Sequence, residues 1–444
     1  MQDVIQESFY RSIYPTAEAT FLAQRAESLD AQALRRRVKE ILHTRDGHQG
    51  LSVQQVSWLL QAVRSVADPA TRAAIVDAAR AVRRTCFGNQ VATMVPIEVT
   101  SYCASTCKFC GWRADNKDMV RLAISETAIR EQAKILARMG FSHFEIAGGD
   151  HLPFLRNSLK PLVRALKEET RAVNPEARVS LCLVPMHEAQ YTELREHGLD
   201  CVLTWQETYC QELFAFHVPS GPKAWGIDLD FAMTRGGDGF MQRLRSQEMA
   251  IRSGLQAGLG AMIGLAEHTE ADILSVVIHG QRLIEHYGDA VQPLIIGMPA
   301  WNSITTTASD NRESMGFNFH SEANFELIAA IYLLAYPDRR AWVFANGRVA
   351  PQVQVDCIES AAFFTSTLVQ IAPGAYLGLQ PEVAQRLGNG SIFIKSSIEA
   401  DEITQEAIMS GEQFMHYLMP HDAFLQMFSQ RGLQVVSDRS MLLH

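Results

Sequence analysis

The stretch MVPIEVTSYCASTCKFCGWR, residues 94–113, joins a short apolar segment to three closely spaced cysteines. The first part, MVPIEVT (94–100), is mostly apolar or β-branched and predicts a buried β-strand. A polar loop with the three cysteines follows. The next segment, AISETAIREQAKILARMG (123–140), has apolar residues at the spacing of an amphipathic helix. The order strand, loop, helix predicts the first unit of an α/β fold.

Short apolar runs of the same kind recur along the chain, separated by segments with helical spacing. They lie at 143–148, 179–185, 201–205, 260–265, 293–299, 341–346 and 367–373. Strands that are apolar on both faces and alternate with helices are typical of a parallel sheet, because the crossover helices cover both faces. With the first strand they number about eight, which predicts a TIM-like (β/α)8 barrel or a partial barrel.

We expect three regions in the chain. Residues 1–90 have leucine, isoleucine and valine at three- and four-residue spacings, which predicts a helical N-terminal extension. Residues 91–380 contain the predicted barrel. Residues 381–444 mix one strand-like run with helical segments, and we expect them to form a C-terminal helical cap or lid over the barrel mouth.

The composition predicts a folded protein with a large core, since 47% of the 444 residues are hydrophobic and 20% are charged. The formal net charge of −9 gives no electrostatic reason to bind a nucleic acid. The chain shows neither a secretory signal nor a run of about 18 apolar residues, so we expect a cytoplasmic protein without a membrane partner. Eight cysteines are too few for a disulfide-stapled secreted scaffold.

The three clustered cysteines have the spacing Cys103-x3-Cys107-x2-Cys110. Three thiolates on one loop can bind three irons of a [4Fe–4S] cluster, whereas the usual cluster has four cysteine ligands. The fourth iron would then be open to a substrate or cofactor, at the carboxyl end of a barrel strand, where such folds have their active sites. A structural zinc site is the alternative. It usually needs two Cys-x2-Cys pairs, and only Cys107 and Cys110 form one.

The motif resembles that of the radical S-adenosylmethionine (SAM) superfamily, Cys-x3-Cys-x-aromatic-Cys, with Phe109 as the aromatic residue. The resemblance implies a [4Fe–4S] cluster whose open iron binds SAM, and reductive cleavage of SAM to a 5′-deoxyadenosyl radical. After the second strand, Gly148, Gly149 and Asp150 are similar to a Gly-Gly-Glu motif of the superfamily that contacts the SAM amino group. Asp150 is one methylene shorter than glutamate, and Gly-Gly-Asp is also a common turn sequence.

The segment TWQETYCQELFAFHVPSGPK (204–223) is similar to the Gln-Glu-Thr-Tyr and His…Gly-Pro-Lys segments of the tyrosine lyases, the 2-iminoacetate synthases, to which the tryptophan lyases are related. The resemblance implies that Gln206 and Glu207 contact SAM. Arg348, after a barrel strand, is suited to pair with an amino-acid carboxylate. The candidate substrate contacts, all polar or charged, are His217, Lys223, Arg348, Ser303 and Arg312.

The resemblance implies a radical SAM enzyme that abstracts hydrogen from a small substrate. A free amino acid such as tyrosine or tryptophan is expected, with cleavage of a carbon–carbon bond. A low-potential electron donor, a flavodoxin or a ferredoxin, is implied as a partner. Two alternatives are radical rearrangement, as in methylornithine synthase, and sulfur insertion, as in biotin synthase. A third is a non-catalytic iron–sulfur module that binds SAM without cleaving it.

Overall fold

The structure, a computed structural model, describes residues 3–64, 68–266, 268–301, 324–411, 413–414, 416–417 and 419–443. The helices are α1 Glu7–Ala26, α2 Ala31–His43, α3 Val53–Arg64, α4 Pro69–Phe87, α5 Glu126–Arg138, α6 Leu152–Val173, α7 Glu188–Glu196, α8 Gln211–His217, α9 Pro222–Trp225, α10 Gly239–Leu244, α11 Ser246–Arg252, α12 Thr269–Tyr287, α13 Phe325–Ala335, α14 Pro351–Ser360, α15 Pro381–Leu387, α16 Asn389–Ile392, α17 Gln405–Met409 and α18 His421–Gln430. None of these described helices has the length and apolar character needed to cross a membrane. The strands are β1 Gln90–Thr100, β2 Leu122–Ile124, β3 His143–Gly148, β4 Arg178–Cys182, β5 Cys201–Glu207, β6 Gln256–Ala261, β7 Leu294–Gly297, β8 Ala341–Ala345, β9 Phe364–Ser366, β10 Phe393–Ser396 and β11 Gln434–Val436.

In the described part of the chain, eight parallel strands form a barrel in the order β1, β3, β4, β5, β6, β7, β8 and β9. β9 pairs with β1, for example through Phe364 and Ala92, and this pairing closes the ring. The predicted TIM-like barrel is therefore confirmed. The carboxyl ends of the strands lie together at one end of the barrel, which we call the mouth; the amino ends lie at the base. Active sites of such barrels are found at the mouth.

Two barrel strands lie earlier in the chain than the sequence predicts. β6 begins before the predicted run 260–265 and ends at its second residue, and β9 lies wholly before the predicted run 367–373. The apolar residues that suggested strands there belong to buried loops at the mouth. Met262 and Ile263 are buried after β6, and Val369 lines the central cavity after β9. Burial of a loop gives the same apolar pattern as burial of a strand, so the pattern alone misplaces the strand ends.

The N-terminal helices pack on the outside of the barrel, where α1 contacts α12 and α4 contacts α13. Glu248 of α11 is fully buried at this junction. Its carboxylate accepts hydrogen bonds from the backbone N–H of Ile5 at 2.6 Å and from the hydroxyl of Tyr10 at 3.1 Å. The helices and the barrel share one hydrophobic core.

The C-terminal segment reaches both ends of the barrel. β10 pairs with β2 beside the cysteine loop at the mouth, whereas β11 pairs with Gln90–Ala92 at the start of β1. At the base, Asp438 is fully buried between the guanidinium of Arg178 and the ring of His143, whose Nδ1 lies 2.9 Å from the carboxylate. The predicted boundaries near residues 90 and 380 stay predictions, but the last segment covers the base as well as the mouth.

Candidate active site

One arginine holds the cysteine loop, residues 101–121. The guanidinium of Arg121 donates hydrogen bonds of 2.6–3.0 Å to four backbone carbonyls of the loop, those of Ser101, Trp112, Arg113 and Asn116. Buried carbonyls outside regular secondary structure need such partners. Arg121 therefore fixes the path of the backbone on both sides of the three cysteines.

Two glycines allow neighbouring segments to approach this loop closely. A Cβ atom on Gly149 would lie 2.3 Å from the carbonyl oxygen of Tyr102, and a Cβ atom on Gly221 would lie 2.4 Å from that of Ala104. Gly221 also has a φ angle of 100°, which residues with a side chain rarely adopt. The Gly-Gly-Asp and Gly-Pro-Lys motifs thus both pack directly on the cysteine loop.

The three clustered thiols lie at the mouth, Cys107 and Cys110 buried and Cys103 partly buried. Burial raises the pKa of each of the three thiols to about 12. The Sγ atom of Cys103 accepts hydrogen bonds from the backbone N–H groups of Ser105 and Asp150, both at 3.4 Å. Hydrogen bonds to sulfur are one means by which proteins tune iron–sulfur clusters.

These residues fit an iron–sulfur cluster. A thiol with a pKa of about 12 keeps its proton at neutral pH unless a metal displaces it, and cysteine binds metal as the thiolate. Within the described residues, no three His, Cys, Asp or Glu side chains converge as ligands of a single ion. A cluster does not require such convergence, because each cysteine binds its own iron.

Asp150 connects the Gly-Gly-Asp motif to the cysteine loop. Its Oδ2 accepts a hydrogen bond from the hydroxyl of Ser105 at 2.6 Å, and the oxygen of that hydroxyl accepts one from the backbone N–H of Lys223 at 3.0 Å. Asp150 is buried and, with Gly148, lines the central cavity. Because a carboxylate can accept several hydrogen bonds, Asp150 can also accept one from an ammonium group in the cavity.

Glu207 and Lys223 form an ion pair at the cavity wall. The Nζ of Lys223 lies 2.8 Å from Oε1 of Glu207, and Nη2 of Arg243 lies 3.9 Å from the same oxygen. Burial alone would raise the pKa of Glu207, but the two cations lower it. Burial would lower the pKa of Lys223, but Glu207 raises it. Both side chains are therefore charged. The ion pair joins Glu207, which is predicted to contact SAM, to Lys223, which is predicted to contact the substrate.

The backbone at this point is unusual. Glu207 has a φ angle of 70°, in the left-handed region, and the register between β5 and β6 shifts between Trp205 and Glu207. Such conformations concentrate at functional sites. Next to it, Gln206 is buried, and neither atom of its amide group has a hydrogen-bond partner among the described residues. A buried amide of this kind can be satisfied by a polar ligand, and its contact with SAM stays a prediction.

A cavity of about 150 Å³ lies between the cysteine loop and the barrel interior. Toward the mouth it is lined by Phe109, Cys110, Gly148, Asp150, Glu207, Lys223 and Arg243. Deeper and around its sides it is lined by Met94, Pro96, Glu98, Glu145, Cys182, Leu203, Trp205, Phe344, Asn346, Arg348, Ser366, Phe414 and His416. The cavity therefore brings Cys110, the Glu207–Lys223 pair and Arg348 around one space.

Arg348 presents a partly buried cation to this cavity. Its guanidinium carbon lies 3.5 Å from the ring centre of Phe414, which is a cation–π contact. Burial lowers the pKa of Arg348, while Glu207 and nearby thiols raise it. Arginine stays protonated under such conditions, and its planar group can bind a carboxylate with two parallel hydrogen bonds.

The other predicted substrate contacts lie elsewhere. His217 is buried beside Phe109 and Trp301, with ring-centre distances of 6.2 Å in both pairs, and burial lowers its pKa to about 4. Neither ring nitrogen of His217 has a hydrogen-bond partner among the described residues, and His217 is not part of the described cavity wall. Ser303 and Arg312 lie outside the described residues.

The sequence prediction missed two carboxyl groups of the cavity, those of Glu98 and Glu145. Each lies in an otherwise apolar strand, β1 or β3. Burial raises the pKa of both side chains to about 8. A single acidic residue within an apolar parallel strand is the signal that could have identified them, because burying a carboxyl group without a purpose is costly.

Comparisons with known proteins extend this description. 2-Iminoacetate synthase from Escherichia coli (strain K12) is 29% identical over 322 residues, which are 70% of this chain and 75% of that protein. 3-Methylornithine synthase from Methanosarcina barkeri is 27% identical over 207 residues, which are 46% of this chain and 52% of that protein. The crystal structure of the FeFe-hydrogenase maturase HydG from Carboxydothermus hydrogenoformans matches with a TM-score of 0.71 at 16% identity, covering 97% of this chain and 85% of that one. No model of a protein family matches the sequence.

The barrel, the cysteine loop and these similarities together make the chain similar to radical SAM enzymes. Within that superfamily the chain resembles the tyrosine lyase group, that of the 2-iminoacetate synthases. The relationship implies SAM and an iron–sulfur cluster as cofactors and a small molecule as the substrate. The likeness to HydG concerns the fold alone.

Proposed function

We propose that this enzyme binds a [4Fe–4S] cluster through Cys103, Cys107 and Cys110, and that it breaks a carbon–carbon bond of a free amino acid in the central cavity. The observation that supports this most strongly is the position of the cysteine loop over a cavity that is also lined by the guanidinium of Arg348. When bound, the cluster and SAM supply a 5′-deoxyadenosyl radical that abstracts hydrogen from the substrate.

Residues near the mouth bind and orient SAM. Asp150 accepts a hydrogen bond from the SAM ammonium group, and Gly148 lets the backbone approach the ligand closely. Glu207, kept ionised by Lys223 and Arg243, accepts hydrogen bonds from the ribose hydroxyls or the amino group of SAM. Lys223 thus acts through Glu207 rather than directly on the substrate.

Arg348 binds the carboxylate of the amino acid. A bidentate pair would fix the position of the α-carbon relative to the mouth, and such positioning contributes strongly to catalysis. The strands enclose the substrate, and Trp205, Phe344 and Phe414 give the cavity apolar walls. Exclusion of water by these walls protects a reactive radical from side reactions.

By similarity to 2-iminoacetate synthase, cleavage next to the α-carbon is the first candidate reaction, with tyrosine or tryptophan as candidate substrates. Radical rearrangement of an amino acid is the second candidate. It is favoured by the similarity to 3-methylornithine synthase and by the acidic residues Glu98 and Glu145 in the cavity wall.

In either case we propose a flavodoxin or ferredoxin as the electron donor. A cytoplasmic location suits this chemistry because that compartment keeps thiols reduced.

The test is anaerobic reconstitution with iron and sulfide, followed by dithionite, SAM and each free amino acid in turn. We expect one amino acid to raise the rate of 5′-deoxyadenosine formation, with matching amounts of two carbon fragments. Recovery of an isomer with all carbons retained would establish rearrangement instead. If small metabolites other than amino acids raise the rate and no amino acid does, the proposed substrate class is wrong.

A further inference from the structure

Glu98 and Glu145 project from neighbouring strands into the same cavity. In the parallel pairing of β1 with β3, Glu145 lies opposite Pro96, and Glu98 lies opposite Ala147. The four residues all line the cavity, because residues two apart on a strand face the same side. Glu145 therefore lies one layer deeper than Glu98, and together they form an acidic strip on one wall.

This strip is buried and incompletely satisfied. The exposed fractions of Glu98 and Glu145 are 5% and 8%. Oε2 of Glu98 has no hydrogen-bond partner among the described residues. Beside the strip lie Cys182, whose thiol hydrogen-bonds to Glu145, and the apolar side chains of Leu203 and Phe344. Buried polar groups are normally paired, so an orphaned carboxyl oxygen facing a cavity indicates a missing ligand group.

The cations of the cavity wall are committed elsewhere. Lys223 and Arg243 both lie against Glu207. Arg348 interacts electrostatically with Glu98 and Glu145 and lowers the pKa of both, yet burial still raises each pKa to about 8. In the proposed function Arg348 also binds the substrate carboxylate. Among the described residues, the acidic strip then lacks a cation of its own, and a cationic group of the substrate would supply it.

We propose that Glu98 and Glu145 bind an ammonium group on the side chain of the substrate, which makes the substrate a diamino acid such as lysine or ornithine. An ammonium group has three donors and can satisfy both carboxylates at once, whereas a phenol or an indole has one. Arg348 and the acidic strip would bind opposite ends of the molecule. This inference rests on the proposed function, since it assumes an amino acid whose carboxylate binds Arg348.

The first test compares substrates that differ in one group. Norleucine closely matches lysine but lacks the side-chain amine, and norvaline has the same relation to ornithine. Binding to the anaerobic SAM-bound holoenzyme is measured by calorimetry. Charge-assisted hydrogen bonds in a buried site predict at least about tenfold tighter binding of lysine or ornithine than of its uncharged analogue. Equal affinities within either pair, or binding of tyrosine in preference to both diamino acids, would overturn the proposal.

The second test uses isosteric variants with a matched control. Glu98→Gln and Glu145→Gln should each reduce the difference in affinity between lysine and norleucine, and the double variant should lose most of this difference. Glu176→Gln, at an exposed position, should preserve the difference. A difference that survives in the double variant would contradict the proposal. Because the comparison between ligands is made within each protein, a general loss of stability does not mimic the expected result.

The same samples separate this inference from the proposed function. Substrate-dependent 5′-deoxyadenosine with tyrosine but not with a diamino acid would refute the acidic strip as an ammonium site and leave the amino-acid enzyme intact. Selective binding of lysine or ornithine without any 5′-deoxyadenosine would support the ammonium site and refute the proposed reaction.

Discussion

At Gly221 two separate features forbid a side chain. The φ angle of 100° is one, and the 2.4 Å approach of a Cβ atom to the carbonyl oxygen of Ala104 is the other. Gly140 has a similar φ angle of 95°, but a Cβ atom there would meet nothing within 4 Å. A comparison of alanine variants at Gly221 and Gly140 therefore separates the cost of the backbone conformation from the cost of a steric clash with the cysteine loop.

We predict that Gly221→Ala lowers the free energy of unfolding by about 1–3 kcal/mol more than Gly140→Ala, the usual cost of overpacking. It should also lower the amount of iron and sulfide bound after reconstitution, because the clash displaces the loop between the first two cysteines. Iron analysis and thermal unfolding check the two effects. Equal iron content in the two variants would contradict the tight packing of the Gly-Pro-Lys motif on the loop.

The carboxyl group of Glu145 predicts a particular dependence of stability on pH. Burial raises its pKa to about 8 from an ordinary value of 4.5. Between these values the native state holds a proton that the unfolded state has released, so stability falls as pH rises from about 4.5 to 8. Glutamine cannot ionise, so Glu145→Gln should gain stability relative to the wild type across this window, by up to about 4 kcal/mol at pH 8.

Denaturant unfolding of the substrate-free protein at pH 5 and pH 8 measures this change. Exposed Glu176→Gln is the control for the substitution itself. A constant difference between Glu145→Gln and the wild type at both pH values would show that Glu145 is ionised in the native protein.

Individual residues differ in how far the sequence reveals them. Cys103, Cys107 and Cys110 are close in the chain, so their spacing alone predicts a joint site. Lys223 is predicted to contact the substrate, but its pairing with Glu207 depends on how the loop before α9 folds back on β5. Glu98 and Glu145 are neighbours only because β1 pairs with β3.

Among the elements, β11 shows how a distant segment can stabilise the base of the barrel. It contains three residues, pairs with the start of β1 and precedes Asp438, which is buried against Arg178 and His143. Burial alone would raise the pKa of Asp438, but these two partners lower it. The carboxylate is therefore ionised and compensates a buried guanidinium.

We predict that Asp438→Ala lowers the free energy of unfolding by about 3–5 kcal/mol, because it leaves Arg178 buried without its charged partner. Asp422→Ala, at an exposed position in the first turn of α18, should cost less than about 1 kcal/mol. Denaturant unfolding compares them. A loss of less than 1 kcal/mol in Asp438→Ala would mean that the C-terminal segment does not stabilise the base.

The elements themselves were predicted with uneven success, for physical reasons. β3 occupies 143–148 as predicted, because polar turns border its apolar run on both sides. β6 and β9 are displaced, because the apolar run continues into loops buried at the mouth. β11 was missed, because three residues carry no periodic pattern and their partner lies near the other end of the chain.

At the scale of the whole molecule, the barrel brings the cysteine loop, the Glu207–Lys223 pair and Arg348 to a single cavity. Three features lie at the carboxyl ends of three barrel strands: the cysteine loop at β1, the Gly-Gly-Asp turn at β3 and Glu207, with its partner Lys223, at β5. Their association therefore depends on closure of the barrel. The N-terminal helices and the C-terminal segment stabilise this barrel from the outside and from both ends. Chain length and strand count predicted the architecture, whereas the contents of the cavity required the three-dimensional pairing.

The most direct test of the central claim is 5′-deoxyadenosine formation by the reconstituted, dithionite-reduced enzyme with SAM and its amino-acid substrate. If the cysteine loop binds the cluster that cleaves SAM, the wild type should form 5′-deoxyadenosine. Cys357→Ala, which changes a cysteine outside the cysteine loop, should form it too, whereas Cys107→Ala should form none. Formation by Cys107→Ala at the rate of the wild type would contradict it. So would its complete absence from wild-type protein that carries a full complement of iron and sulfide.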